Sequence, residues 1–155
     1  MLKQKLQEEL RQSMLARDVL KTSVLRMVLS SINYYEIKKG GAGYEATDED
    51  VLSVIQKEVK QRKDSIEQFK KGARQDLVDK ETKELELLQK YLPQQLSEEE
   101  IKSLVKEAIN QTKASSPADI GKVMGALMPK IKGKADGAIV SKIVKETLLT
   151  SQSSN

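Results

Sequence analysis

One apolar template recurs along this chain and leaves little freedom in how it folds. Ile101, Leu104, Val105, Ala108 and Ile109 stand at i, i+3, i+4, i+7 and i+8, the stripe that one face of an α-helix buries. Ile120, Val123, Met124, Leu127 and Met128 repeat it, and Ile139, Val140, Ile143, Val144 and Leu148 supply another. Upstream, Leu2, Leu6, Leu10 and Met14 return every fourth residue. Leu20, Val24, Met27, Val28, Ile32 and Tyr35 mark a second helix, Val51, Leu52, Ile55, Val59, Ile66 and Phe69 a third, and Leu77, Glu81, Glu84, Leu85, Leu88 and Leu92 a fourth. Only 3% of residues are aromatic against 38% apolar, so the core is aliphatic and suits helices. The fold class this predicts is all-α.

Punctuation divides the pattern. Arg17-Asp18 is a tight corner or a kink, and propensity leaves the choice open. Gly40-Gly41-Ala42-Gly43 is a connector; no G-K-[ST] follows it, so it is not a P-loop. Thr47 with Asp50 forms an N-terminal cap, and Gly72 ends the helix so begun. Lys57, Lys60, Arg62, Lys63 and Lys70 alternate there with Glu58, Asp64 and Glu67, a spacing that predicts ion pairs along a solvated face. Pro93 closes the fourth helix, and Ser97 with Glu100 is a capping box that restarts the pattern. We therefore expect an N-terminal helical subdomain of long helices over 1–93, a C-terminal three-helix subdomain over 94–150, and a disordered tail over 151–155. Within the second, Ser116 caps a helix with Pro117 at its first position. Pro129 stops that helix after Met128, Lys130, Lys132 and Lys134 alternate through a turn, and Asp136 opens the last helix.

Composition removes much chemistry. With no cysteine and no histidine, the chain has no disulfide, thiol nucleophile, histidine base or customary zinc ligand. Ser13, Ser23, Ser65 and Ser141 lack a histidine partner and a glycine-flanked elbow. No catalytic residue, cofactor or metal is identified. The N-terminus interleaves charge with leucine, and no apolar run approaches the ~18 residues of a membrane span; the expectation is a soluble, cytoplasmic protein without a membrane partner. Charge is uneven: residues 1–100 carry 18 Lys+Arg against 19 Asp+Glu, residues 101–155 carry nine lysines against four acids. An anionic partner is drawn to the second part.

Two features there invite a ligand. Gly121 and Gly125 lie four apart on one helix, where each costs about 1 kcal/mol relative to alanine. A neighbouring backbone that comes close would offset that cost, and it is either a packed helix, the more ordinary answer, or a nucleic-acid backbone. The Lys130–Lys134 turn has no acid among its lysines, Gly133 loosens its backbone, and the N–H groups of the next helix follow, which together make a phosphate seat. Asp136 competes for that seat as a cap, so turn chemistry stands beside phosphate binding. A helix-turn-helix DNA reader is disfavoured, because Pro129–Ala135 is too long a turn and Ile139, Val140, Ile143 and Val144 are committed to a core.

Leu25-Arg26-Met27, K-Q-R-K-D-S-I-E-Q-F from Lys60, Y-L-P-Q-Q-L-S-E-E-E from Tyr91 and G-K-V-M-G-A-L-M-P-K-I-K-G-K-A-D-G from Gly121 resemble the GatB/YqeY family over nearly the whole length. The likeness is to its stand-alone YqeY-like branch and to the C-terminal helical and tail regions of the glutamine-dependent aminoacyl-tRNA amidotransferase B subunit. It implies a two-part helical protein whose smaller part is similar to the tail that meets tRNA. Val123-Met124 and Lys132-Gly133-Lys134-Ala135-Asp136 match that tail's apolar-then-K-G-K-A-[ND] pattern, with Asp136 in place of a frequent asparagine and Gly137 in place of a frequent proline. The function so implied is that of a tRNA-associated accessory protein in which Lys122, Lys130, Lys132 and Lys134 meet phosphates and Gly133 permits close approach. One alternative is a module docking on an aminoacyl-tRNA synthetase or amidotransferase subunit. Another is the family-level label, a carbon-nitrogen ligase with glutamine as amido-N-donor.

Overall fold

Side-chain caps fix where several of the helices begin. In the computed structural model, which describes residues 1–153, the Thr47 hydroxyl accepts from the Asp50 N–H at 3.2 Å while the Asp50 carboxylate accepts from the Thr47 N–H at 3.0 Å. Ser97 and Glu100 make the same exchange at 3.2 and 2.7 Å, and Asp18 accepts from the Lys21 N–H at 3.0 Å. Each cap satisfies N–H groups that the first turn of a helix leaves orphaned. The elements are α1 (Leu2–Leu15), α2 (Val19–Gly40), α3 (Asp48–Lys71), α4 (Gln75–Gln89), α5 (Glu98–Thr112), a 3-10 turn (Pro117–Asp119), α6 (Ile120–Ile131) and α7 (Gly137–Ser153). The protein is all-α, and the described residues contain no strand.

Three helices stop in a way the sequence conceals. Arg17, Ala73 and Lys113 take left-handed φ values of 57°, 54° and 54°. In each case the next N–H reaches back to a carbonyl five residues earlier: Asp18 to Ser13 and Arg74 to Phe69 at 2.9 Å, Ala114 to Ile109 at 3.2 Å. These are Schellman endings made without glycine, at a cost of about 1 kcal/mol per residue or somewhat more. Arg17-Asp18 is thus a corner between two helices and not a kink within one.

The chain divides into two compact units, Met1–Leu92 and Pro93–Asn155. The first is α1–α4 around Leu6, Val24, Leu25, Val28, Ile32, Val51, Ile55 and Leu88. Met14 and Met27, expected on the apolar stripes, are about half exposed. Arg62 departs further: instead of lying on a solvated face it is 5% exposed, as is Glu84. Its guanidinium donates to Glu58 at 2.8 Å and to the Met27 sulfur at 3.0 Å, and its Nε lies 3.5 Å from Glu84. Glu58 also accepts from the Ser31 hydroxyl at 2.7 Å.

A second buried node is Asp50. It accepts from Tyr35 at 2.7 Å, Lys39 at 2.8 Å and Tyr44 at 2.6 Å, besides Thr47. Burial is the largest single influence on its carboxyl and pushes it up, but donors from Lys39, Tyr44, Tyr35 and the Thr47 backbone together outweigh this and hold it well below the usual carboxylate range. The Lys39 ammonium stands 5.3 and 5.0 Å from the ring centres of Tyr35 and Tyr44, so the node ties the Gly40–Gly43 connector down. Gly40 is required there, because a Cβ would meet the Tyr44 Cβ at 2.7 Å.

The second unit packs α5, α6 and α7 around Ile101, Val105, Val123, Leu127, Ile131, Val140, Val144 and Leu148. Burying each such side chain contributes about 1.5–3 kcal/mol. Two expectations are corrected. Pro129 does not stop its helix: α6 continues to Ile131, because Ile131 follows Val123 and Leu127 at i+8 and i+4 and is almost fully buried with them. Helix α7 likewise runs through Ser153, into the stretch expected to be a disordered tail; 154 and 155 lie outside the described residues.

Candidate nucleic-acid interface

The sequence-predicted lysines occupy one helix and the turn after it, in different surroundings. Lys122 lies on the outward face of α6, 71% exposed at its side chain, with its ammonium 3.8 Å from Asp119. That carboxylate is engaged chiefly elsewhere. Asp119 accepts from the Ser115 and Ser116 N–H groups at 3.0 and 3.3 Å, which, with the Ser115 contact foremost, hold its carboxyl below the ordinary range. Lys130, expected in the turn, is in the last turn of α6 and pairs with Glu107 of α5 at 3.3 Å. Lys132 caps the C-terminus of α6, and Lys134 follows it; both side chains are exposed.

Gly133 is placed differently. It is buried and takes φ +76°, and its carbonyl accepts from the Gln95 side chain at 2.9 Å. The neighbouring Lys134 carbonyl accepts from the Leu96 N–H, also at 2.9 Å. These bonds satisfy the turn's backbone from inside the unit. Gly133 therefore shapes the turn and offers no surface to a ligand. At the helix end where phosphate binding and an Asp136 cap stood as alternatives, the Asp136 carboxylate accepts from the Ala138 N–H at 2.9 Å. The geometry there is that of the internal cap.

The outward face of α6 gains what the turn loses. Gly121 and Gly125 are exposed, and a Cβ built on either meets nothing within 4 Å. Among the described residues of this unit, the ordinary explanation, that they admit a packed helix, is not met. Pro129 stands four residues after Gly125 and has no N–H, so the Gly125 carbonyl lacks its i+4 donor. The result is a strip of bare backbone with an under-used acceptor at its middle. Lys122 stands at one end and Lys132 at the other, about 15 Å apart by the 1.5 Å rise per residue. The Gly125–Pro129 spacing was visible in the sequence and its consequence was missed, because a proline read as a helix stop draws no attention to the carbonyl one turn before it.

Among the described residues no group of three or more acidic, histidine or cysteine side chains is arranged to hold a metal ion, and no helix is long and apolar enough to cross a membrane.

Comparison with known proteins covers most of the chain. The family model described as Yqey-like protein matches residues 3–148. Curated relatives include three proteins called "Altered inheritance of mitochondria protein 41, mitochondrial". That of Pyrenophora tritici-repentis is 40% identical over 105 residues, covering 66% of this chain and 58% of the relative. That of Lachancea thermotolerans is 38% identical over 116 residues, covering 73% and 60%. That of Saccharomyces cerevisiae (strain YJM789) is 33% identical over 150 residues, covering 91% and 80%. The chain spans about three fifths of the first two relatives. A match running from the first turn of α1 to the buried Leu148 of α7 takes in both units and the whole α6 face, and the chain belongs to the Yqey-like protein family.

Proposed function

We propose that this chain binds structured RNA, tRNA foremost, as an accessory protein, and that it does so through the outward face of α6 and the lysines that flank it. The observation that carries the proposal is the pair of exposed glycines with open space above them. Two glycines inside a 12-residue helix forgo roughly 2 kcal/mol of helix stability, and among the described residues of this unit no contact within 4 Å of an added Cβ returns it. A ligand backbone laid along the strip does. Lys122 and Lys132 reach phosphates at its two ends, and the Gly125 carbonyl suits a ribose 2′-hydroxyl, the donor that distinguishes RNA from DNA. Lys134 extends the cationic edge, while Lys130 is held by Glu107 and contributes less. The resemblance to the tRNA-contacting tail of the amidotransferase B subunit supports the same surface, since Lys132 and Lys134 are the exposed members of the shared pattern.

Recognition of this kind is by shape and phosphate, with little base stacking in a chain that has one Phe and no Trp. Affinity therefore falls steeply with salt, each phosphate contact adding about 0.7–0.9 to the slope of log affinity against log salt. Lys132→Ala/Lys134→Ala is expected to weaken binding of a tRNA transcript about tenfold or more at low salt and to reduce the slope by about 1–2. Lys102→Ala on α5, where the lysine is paired with Glu98, serves as the control. Equal affinity and slope in wild type and double variant refute the reading. For compartment, the proposal keeps the cytoplasm; the relatives are named mitochondrial, and fractionation of the source cells decides between the two.

A further inference from the structure

An open groove of about 810 Å³ runs between α2 and α3, in the unit that the RNA reading does not use. Three contacts set its register. The Arg62 guanidinium meets the Met27 sulfur, the Ser31 hydroxyl meets Glu58, and the Lys39 ammonium meets Asp50. The two helices are therefore antiparallel with 27 against 62, 31 against 58 and 39 against 50, which brings 35 against 54. Continuing the same register one step outward sets Ser30, Tyr34 and Lys38 on one rim opposite Gln61, Lys57 and Ser53 on the other. All six are exposed and line the groove.

Floor and rim differ in what they have left to bind. On the floor, the one lining acid, Glu58, is spoken for by Arg62 and Ser31, and the Lys39 ammonium is held by Asp50. The rest of the floor is apolar, with Val54 and the outward side of Met27, which is 46% exposed. The rim has two ammonium groups and no carboxylate. None of its six side chains has a hydrogen bond or ion pair within the chain among the described residues. Tyr34 stands 69% exposed above the floor with its hydroxyl unused.

We propose that this groove receives an acidic amphipathic helix of a partner protein. The rim groups repeat every four residues, about one helical turn, and the groove from Met27 to Lys38 is about 16 Å or three turns long. A docked helix would lay its apolar positions on Met27, Val54 and the Tyr34 ring and set acidic residues on its flanks against Lys38 and Lys57, in the helix-in-groove manner. Charge complementarity fixes the sign of the partner, because the two lining lysines without a partner among the described residues, Lys38 and Lys57, are exposed on the rim. The apolar floor favours a helix over a polyanion, which would satisfy the rim and strand its phosphates over Met27 and Val54.

A suitable probe is a fluorescein-labelled peptide of about 15 residues with leucines at i, i+4, i+7 and i+11 and glutamates on both flanks. It is titrated with the full chain by anisotropy and mapped by amide chemical shifts. Shifts concentrated on the α2 and α3 rims are expected, with affinity weakened about tenfold or more by Lys38→Glu/Lys57→Glu, a surface change that leaves the thermal midpoint in place. The same variant should prefer a peptide with lysine flanks. Shifts elsewhere, or equal affinity in the two proteins, overturn the proposal. So does competition by a tRNA transcript whose binding is itself lost in the variant, or a self-associated chain that the variant converts to monomer, since the occupant would then be a polyanion or a second copy.

Discussion

Replacing Gly121 and Gly125 by alanine separates stability from binding, because the structure predicts opposite signs for the two. Neither glycine has a positive φ, and a Cβ at either meets nothing within 4 Å. The full intrinsic preference for alanine, about 0.8–1 kcal/mol at each site, should therefore be realised. The double variant is expected to stabilise the Pro93–Asn155 unit by about 2 kcal/mol, shared between helix propensity and the reduced freedom of the unfolded chain. For a unit of 63 residues, this corresponds to a rise of very roughly 10 °C in its thermal midpoint. Circular dichroism melts and urea titrations of the full chain read it, and the transition of the other unit should not move. Two methyl groups on the strip should meanwhile hold a tRNA backbone off and weaken its binding severalfold, more so with Gly125→Leu. A variant that is less stable than wild type refutes the account of an open face. One that is more stable and binds tRNA equally well leaves the open face intact and removes the reason proposed for it.

The two buried nodes of the first unit give the remaining predictions. Asp50→Asn removes a charge that several donors converge on, and a loss of about 2–3 kcal/mol in urea titrations at neutral pH is expected. Because the folded Asp50 carboxyl lies below its unfolded value, the stability it contributes is fully present above about pH 5 and declines as pH falls through about 4 and below. The gap between wild type and variant should therefore be flat from neutrality to about pH 5 and narrow toward pH 3; a gap that widens on acidification contradicts the sign. Glu36, held low first by Lys3 and then by the Ala46 N–H, adds to the same acid sensitivity. Arg62→Ala strands Glu58 and Glu84 and should cost about 3 kcal/mol or more, whereas Arg62→Met/Glu84→Leu should recover much of it. Equal instability of the single and double variants would show that packing rather than stranded charge sets the cost.

What the sequence makes legible and what it conceals divide by distance along the chain. Thr47 with Asp50 and Ser97 with Glu100 are readable because both partners of each cap lie within one turn, and the apolar stripes are readable because their period is local. Arg62 is misread because its neighbours Glu58 and Asp64 describe a solvated face, while its burial depends on Glu84 and Met27, which come near only in the folded unit. Pro129 is misread for the complementary reason. The local rule stops a helix at proline, but one lost hydrogen bond in the last turn is outweighed by seating Ile131 beside Val123 and Leu127. The same error moves the candidate site. A helix ending at Met128 places three lysines in a turn that opens on a helix N-terminus. The helix ending at Ile131 fills that N-terminus with Asp136, buries Gly133, and leaves a bare α6 face between Lys122 and Lys132. The cations named from the sequence survive as surface groups. Their geometry follows from a single core isoleucine that the lysine pattern gave no reason to consult.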